Sequence, residues 1–147
     1  MREVFIEYCE NEKAWLLKTM KERFGDEANQ VFLKTSRERV CKEWSKIAEN
    51  AGDNSIESLI KQLWETRQGE YTLEETDVGF QVTCTKCIGA DIARRLGIAD
   101  ESYTFSCAAD PFIVEGFNPN IGFKRTKTLM QSHDCCDHFY YYIDKSR

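Results

Sequence analysis

Proline and glycine are scarce, two and eight among 147 residues, which excludes collagen-like, low-complexity and linker-rich chains. Positive charge is not in excess either. Lys and Arg number 20 against 25 Asp and Glu, a formal net charge of −5. Both halves share the deficit, with 12 cationic against 14 anionic residues up to Glu70 and 8 against 11 beyond it. Neither nucleic acid nor an anionic membrane surface is therefore an expected partner. No apolar run approaches the roughly 18 residues of a membrane span. The opening segment, broken by Glu3, Glu7, Glu10 and Glu12, lacks the basic flank and apolar stretch of a signal peptide. The expected setting is a reducing cytoplasm.

What is present is the balance of a globular protein, 41% hydrophobic and 31% charged residues. The length suits one domain over 1–147, with a helical part at 1–68 and a strand-rich part at 70–147. Seven cysteines stand out: Cys9, Cys41, Cys84, Cys87, Cys107, Cys135 and Cys136. In a reducing compartment an odd number of thiols reads as reactive, metal-bound or buried, not as a disulfide scaffold. A small molecule is the expected partner, and a homodimer is left open.

In the first half apolar residues recur at helical spacing. Phe5, Tyr8, Cys9, Trp15, Leu16, Met20 and Phe24 predict a helix over Glu3–Phe24 that Gly25 ends. A second is expected over Glu27–Ala51, stopped by Gly52. A third opens with Asn54 and Glu57 spaced as a capping box and continues with Ile56, Leu59, Ile60, Leu63 and Trp64 on one stripe. The outer faces of all three are expected to be polar.

After Gly69 the period changes to two. Val78, Phe80, Val82 and Cys84 point to one side of a strand. Thr85 is placed to cap a short helix over Lys86–Leu96, ended by Gly97. Tyr103–Phe117, interrupted by Pro111, has no clear period. Ile121–Met130 and Cys135–Ile143 read as a hairpin around Ser132, His133 and Asp134. The expected class is α+β, with about three N-terminal helices packed on a small antiparallel sheet that ends in a C-terminal β-hairpin.

Cys84-Thr85-Lys86-Cys87 is a CxxC without the second pair of a zinc ribbon or the βαβ setting of a thioredoxin. Cys84 falls where a strand is expected to meet a helix, so the helix N-terminus would favour its thiolate. Cys136 and His138, two apart on a strand, share a face about 6.5–7 Å apart, the minimum for an activated nucleophile or two metal ligands. Asp137 points away and His133 sits in the turn. Cys107 and Asp110 form C-x-x-D and could supply a thiol and a carboxylate from one turn. Arg125, among apolar neighbours, needs a carboxylate, either internal or from a substrate. Tyr140, Tyr141 and Tyr142 with Phe112, Phe117 and Phe123 could line a ligand pocket or fill the core.

Taken together, Val82-Thr83-Cys84, Leu96-Gly97, Cys107-Ala108-Ala109-Asp110, Gly116-Phe117-Asn118-Pro119, Arg125-Thr126-Lys127-Thr128-Leu129 and Cys136-Asp137-His138-Phe139 resemble the L-2-amino-thiazoline-4-carboxylic acid hydrolase family. The stretch concerned is Val78–Tyr140, and Ser132-His133-Asp134 stands where the family has a Gly-Asp turn. The chain is also distantly similar to 4-vinyl-reductase-type small-molecule-binding domains. The first resemblance implies ring-opening hydrolysis of a cyclic, carboxylated isothiourea to a carbamoyl-cysteine. Two routes fit the residues. In one, a cysteine thiolate attacks the amidine-like carbon while His138 manages the proton and Asp110 holds the cationic nitrogens. In the other, Cys84, Cys107, Cys136 and His138 hold a zinc-like ion that activates water. Arg125 pairs with the substrate carboxylate in both. The alternative is a non-catalytic, sensor-like domain that binds a small molecule or a metal in a cysteine-lined pocket.

Overall fold

The computed structural model describes residues 1–67 and 69–143; positions 144–147 of the expected domain lie outside the described residues. Three helices make up the first half: α1 (Arg2–Phe24), α2 (Asp26–Ala51) and α3 (Ile56–Trp64). Gly25, at φ 63°, turns the chain from α1 straight into α2, a conformation that only glycine adopts without strain. In α3 the stripe of Ile56, Leu59, Ile60, Leu63 and Trp64 is buried. Its cap lies one residue later than the sequence suggests. Ser55, not Asn54, accepts the Ser58 N–H at 3.2 Å, and Asp53 in turn accepts from the Ser55 backbone and hydroxyl.

The expectation for α1 is overturned. Its buried residues are Ala14 and Leu17, whereas Val4, Phe5, Tyr8, Trp15, Leu16 and Phe24 are exposed. Its outer face is thus not polar. Periodicity marked an apolar stripe, but the small Ala14 on the opposite side is what lets α1 approach the rest of the protein closely.

The second half contains β1 (Gly69–Thr76), β2 (Gly79–Cys87), α4 (Ile88–Leu96), α5 (Ala99–Phe105), α6 (Asp110–Phe117), β3 (Ile121–Lys124) and β4 (Cys136–Tyr142). The sheet order is β1-β2-β4-β3, and every neighbouring pair is antiparallel. The α+β class is as expected, and the core lies between helices and sheet: Leu59 and Trp64 of α3, Val114 and Phe117 of α6, Val82 and Tyr140 of the central strands. Among the described residues no helix is long and apolar enough to cross a membrane.

Three local readings change. β2 runs on to Cys87, because the unanticipated β1 pairs with it as far as Gly69↔Cys87. The helix after it therefore starts at Ile88, with Cys87 instead of Thr85 at its N-cap. The segment without clear period is helical throughout, and Pro111 falls in the first turn of α6, where a missing N–H is harmless. The C-terminal hairpin is shorter than expected. β3 stops at Lys124 because Asp137 takes the backbone N–H of Thr126 at 2.8 Å and of Lys127 at 2.5 Å, so those groups leave the ladder. A 3₁₀ turn at Leu129–Gln131 then leads to β4, and Arg125 lies beyond the strand, not within it.

Candidate functional site: a cysteine-lined cavity

A cavity of about 480 Å³ opens between the inner sheet face, the start of α6 and the inner side of α1. Cys84, Cys107, Asp110, Arg125, Cys136 and His138, the six residues singled out in the sequence, all line it. Cys9, Cys41, Cys135 and His133 lie outside its wall. The register separates the adjacent cysteines: Cys136 is in β4, buried and opposite Cys84 of β2, whereas Cys135 precedes the strand.

Both ends of the CxxC reach the cavity, which a regular strand forbids, since residues three apart point to opposite faces. A bulge makes it possible. Glu70 pairs with Lys86 and Tyr71 with Cys84, leaving Thr85 as the extra residue of β2, and the bulge re-aims the chain beyond it.

Cys84 does not sit at a helix N-terminus, so the expected lowering of its pKa fails. Its sulfur is 3.2 Å from the carbonyl oxygen of Lys86, a place for a proton and not for a negative charge. Its pKa is pushed up, first by the facing Cys136 and then by burial. Cys136 is the opposite case. It is held below the ordinary thiol range by the facing Cys84 thiol, against the effect of burial, with further help from His138 and the Leu129 N–H, which donates to it at 3.2 Å. Only one of two adjoining sulfurs can ionise readily, and the hydrogen bonds choose Cys136. The Cys107 thiol is pushed up to about 12 by burial and by Asp110, so its sulfur stays protonated.

Asp110 is the electrostatic centre. Nearly fully buried at the start of α6, its carboxylate accepts from Arg67 at 2.8 Å and from Arg125. Arg125 also donates to the Cys107 carbonyl at 2.9 Å and the Tyr103 hydroxyl at 3.2 Å. The internal salt bridge weighed for Arg125 is thus present. The His138 Nε2 lies 3.9 Å from the same carboxylate.

His138 is fixed from behind. Trp64 Nε1, which can only donate, gives its hydrogen to the Tyr140 hydroxyl at 3.1 Å, and that hydroxyl lies 3.3 Å from His138 Nδ1. Nδ1 is thereby held against the hydroxyl in either tautomer, and Nε2 is left facing Asp110. Trp64 and Phe123 meet the ring edge-on at 5.0 and 5.4 Å.

Among the described residues no three His, Cys, Asp or Glu side chains are grouped to hold a metal ion. Cys84, Cys107, Cys136 and His138 share a wall without forming a ligand set of the kind zinc requires. Of the two roles open to the aromatic residues, core filling is the one observed for Phe117 and Tyr140. The rings lining the cavity are Trp64, Tyr71 and Phe105. Arg67 was missed altogether. It follows α3 without a motif around it, and the one pointer in the sequence is its spacing from Trp64, over whose ring it lies at 4.8 Å.

The sequence model of the L-2-amino-thiazoline-4-carboxylic acid hydrolase family matches residues 4–140. The chain belongs to that family. The match reaches back through α1, so the helical half is part of the family's domain and not an appendage to the Val78–Tyr140 stretch. No curated protein matches the chain. Among solved structures, the phenol-responsive sensory domain of the transcription activator PoxR, crystallised with phenol, is similar, with a TM-score of 0.53 and 9% identity. The alignment covers 90% of this chain and 74% of that one. At such identity the likeness concerns the fold alone.

Proposed function

We propose that this member of the family is a cytoplasmic hydrolase that opens 2-aminothiazoline-4-carboxylate to N-carbamoyl-cysteine, with Cys136 as nucleophile. The observation that carries this reading is a buried sulfur that accepts the Leu129 N–H and faces a thiol that keeps its own proton, in the same cavity as His138 and the Arg67–Asp110–Arg125 cluster. The Cys136 thiolate adds to the ring carbon between nitrogen and sulfur. The bond from that carbon to the ring sulfur breaks, and the sulfur leaves as a thiol with a proton from His138. The carbon remains on Cys136 as an S-linked isothiourea. Water adds to it, returning a proton to His138, and the Cys136 thiolate departs as the carbamoyl product forms. Cys84 steadies the thiolate in the resting and departing states. Asp110 faces the cationic nitrogens and keeps Arg125 in place.

The substrate carboxylate is better assigned to Arg67 than to Arg125. Arg125 is enclosed, 9% exposed, and spends its donors on Asp110, Cys107 and Tyr103. Arg67 is 36% exposed, rests on Trp64 and gives a single hydrogen bond to Asp110, so its remaining N–H groups can fork a carboxylate. The seven unpaired thiols suit a reducing compartment.

Each turnover releases one new thiol, so the test is colorimetric thiol release from 2-aminothiazoline-4-carboxylate. Cys136→Ser is expected to abolish it with the fold intact. Arg67→Met is expected to raise KM about tenfold or more, the loss of a charge-assisted bond worth about 1.5–3 kcal/mol, with a smaller effect on kcat. Normal turnover by Cys136→Ser removes the covalent assignment. A second reading, a sensor-like binding domain, is favoured by the apolar stretch of wall from Trp64, Tyr71, Phe105, Ile113 and Met130 and by the fold shared with a phenol-responsive domain. It predicts that phenol or the thiazoline raises Tm while no thiol appears.

A further inference from the structure

Cys84, Cys87, Cys107 and Cys136 all line the cavity, and hydrolysis gives a bond-making task to one of them. Their placement relative to Cys136 differs. Cys84 is its direct partner across the β2–β4 pairing, and both are buried. Directly opposite residues of an antiparallel pair have Cα atoms about 4.5–5.5 Å apart, inside the range of about 4.4–6.8 Å that a disulfide spans. Cys87 lies beyond the bulge, opposite Gly69 of β1. Cys107 opens the 3₁₀ turn before α6. Neither is in register with Cys136.

We propose that Cys84 and Cys136 form a redox modification site, in which hydrogen peroxide entering the cavity joins them in a cross-strand disulfide. Peroxide is little larger than water, so the cavity admits it. The Cys136 thiolate attacks one peroxide oxygen, the O–O bond breaks and hydroxide leaves, giving a sulfenic acid on Cys136. That hydroxide takes up the proton the thiolate had lost to solvent. The Cys84 sulfur then attacks the Cys136 sulfur, the S–O bond breaks, and the departing hydroxide leaves as water with the Cys84 proton. The two sulfurs together lose two electrons, and one peroxide is reduced to two waters. The register makes Cys84 the resolving thiol, and its electrostatics agree. The facing Cys136 is the first cause that keeps Cys84 protonated. A sulfenic acid is neutral, so its repulsion of a Cys84 thiolate is gone once Cys136 is oxidised. The disulfide removes the Cys136 thiolate and stops turnover until a thiol reductant reopens it by exchange. That consequence for turnover rests on the hydrolase reading; the disulfide itself does not.

Peptide mapping of the full chain tests the proposal. The reduced protein is treated with a small molar excess of hydrogen peroxide and its remaining thiols are blocked. Trypsin, cutting after Lys86, then separates Cys84 from Cys87 before mass spectrometry. The expected product is a Cys84–Cys136 link, retained in Cys135→Ser and reopened by dithiothreitol. Thiol release from the thiazoline should fall in proportion to the linked fraction and return on reduction. In Cys84→Ser the sulfenic acid has no facing thiol, so a dimedone adduct on Cys136 should accumulate well above the wild-type level; should that variant fail to fold, the wild-type map carries the test. A wild type that keeps both thiols overturns the proposal. So does a link from Cys136 to Cys87 or Cys107 instead, or as much dimedone adduct in the wild type as in Cys84→Ser. If the reduced protein releases no thiol from the thiazoline, the hydrolase reading falls and the map still decides this proposal. Normal turnover with no link after peroxide overturns this proposal and leaves the hydrolase reading standing.

Discussion

Replacing Asp110 by Asn keeps the shape of the side chain but removes the one negative charge between two guanidinium groups. The amide also turns one acceptor oxygen into a donor, aimed at an arginine. The two arginines respond differently. Arg67 is exposed enough to regain water, so its share of the loss is within about 1 kcal/mol. Arg125 is not, and leaving a buried charge without its counter-charge costs about 3–5 kcal/mol. Arg125 keeps its bonds to Cys107 and Tyr103, which places the expected loss near the lower end, about 3–4 kcal/mol. For a chain of this length, each kcal/mol shifts Tm by about 3 °C, giving a fall of about 10 °C. Urea unfolding followed by circular dichroism should show a lower midpoint at unchanged slope. Asp110→Asn combined with Arg125→Met should be clearly more stable than Asp110→Asn alone, because the stranded cation is then gone. A loss below about 1 kcal/mol, or a double variant no better than the single one, would refute the account of Asp110 as the counter-charge holding Arg125.

The remaining predictions concern the thiols and the backbone. With its pKa lowered, Cys136 should react with iodoacetamide at pH 6–7, where ordinary thiols with pKa about 8.5 are still protonated, and Cys136→Ser should remove that phase. Cys84→Ala removes the facing thiol that holds the Cys136 pKa down, so the midpoint of the reaction should move up by about 1 pH unit or more; an unmoved midpoint contradicts the role of Cys84. At Gly116 an added Cβ would lie 2.5 Å from the Cys41 Cα and 2.6 Å from its carbonyl oxygen. Gly116→Ala should therefore destabilise by about 3 kcal/mol or more in urea titration, through a forced separation of α6 from α2. Ser132, at φ 66°, is the one non-glycine left-handed residue among those described; Ser132→Gly should raise stability by up to about 1 kcal/mol, and a loss of stability would show that the serine earns its strain by a contact.

The sequence was most legible where one physical signal decided the outcome. α3 could be read because its stripe is narrow and its other face charged, and the site residues of β4 because alternation fixes which side Cys136 and His138 share. β1 was missed for a physical reason. As an edge strand of mostly exposed residues, it carries Glu70, Glu74 and Glu75 and only two large apolar side chains, Tyr71 and Leu73, which is how edge strands avoid pairing with other chains. Missing β1 moved the end of β2, and with it the argument about Cys84. The overlong β3 had a different cause. The alternation over Ile121–Met130 is real in the sequence, but the Asp137 carboxylate captures N–H groups that the ladder would have needed, and that competition is long-range. For α1 the apolar positions were identified correctly, but the side that faces inward depends on which one carries a residue small enough for close packing.

The charge arrangement of the cavity narrows what it suits. Two guanidiniums, one buried carboxylate and one thiolate leave the wall close to neutral overall but strongly dipolar. Arg67 lies on the accessible side over Trp64, while Asp110 and Cys136 lie deeper. A neutral phenol-like guest would find the apolar rings useful and the buried ions irrelevant, and nothing in its binding would explain keeping Asp110 out of water between two arginines. A small ring with a carboxylate at one end and a protonatable amidine at the other matches the dipole end for end. In that orientation the amidine carbon approaches the Cys136 sulfur, which accepts the Leu129 N–H, while the carboxylate stays with the one arginine that still has donors to give. The expensive features of the site, its buried charges and its opposed thiols, are then explained by a single guest, which favours the hydrolase reading over simple ligand sensing.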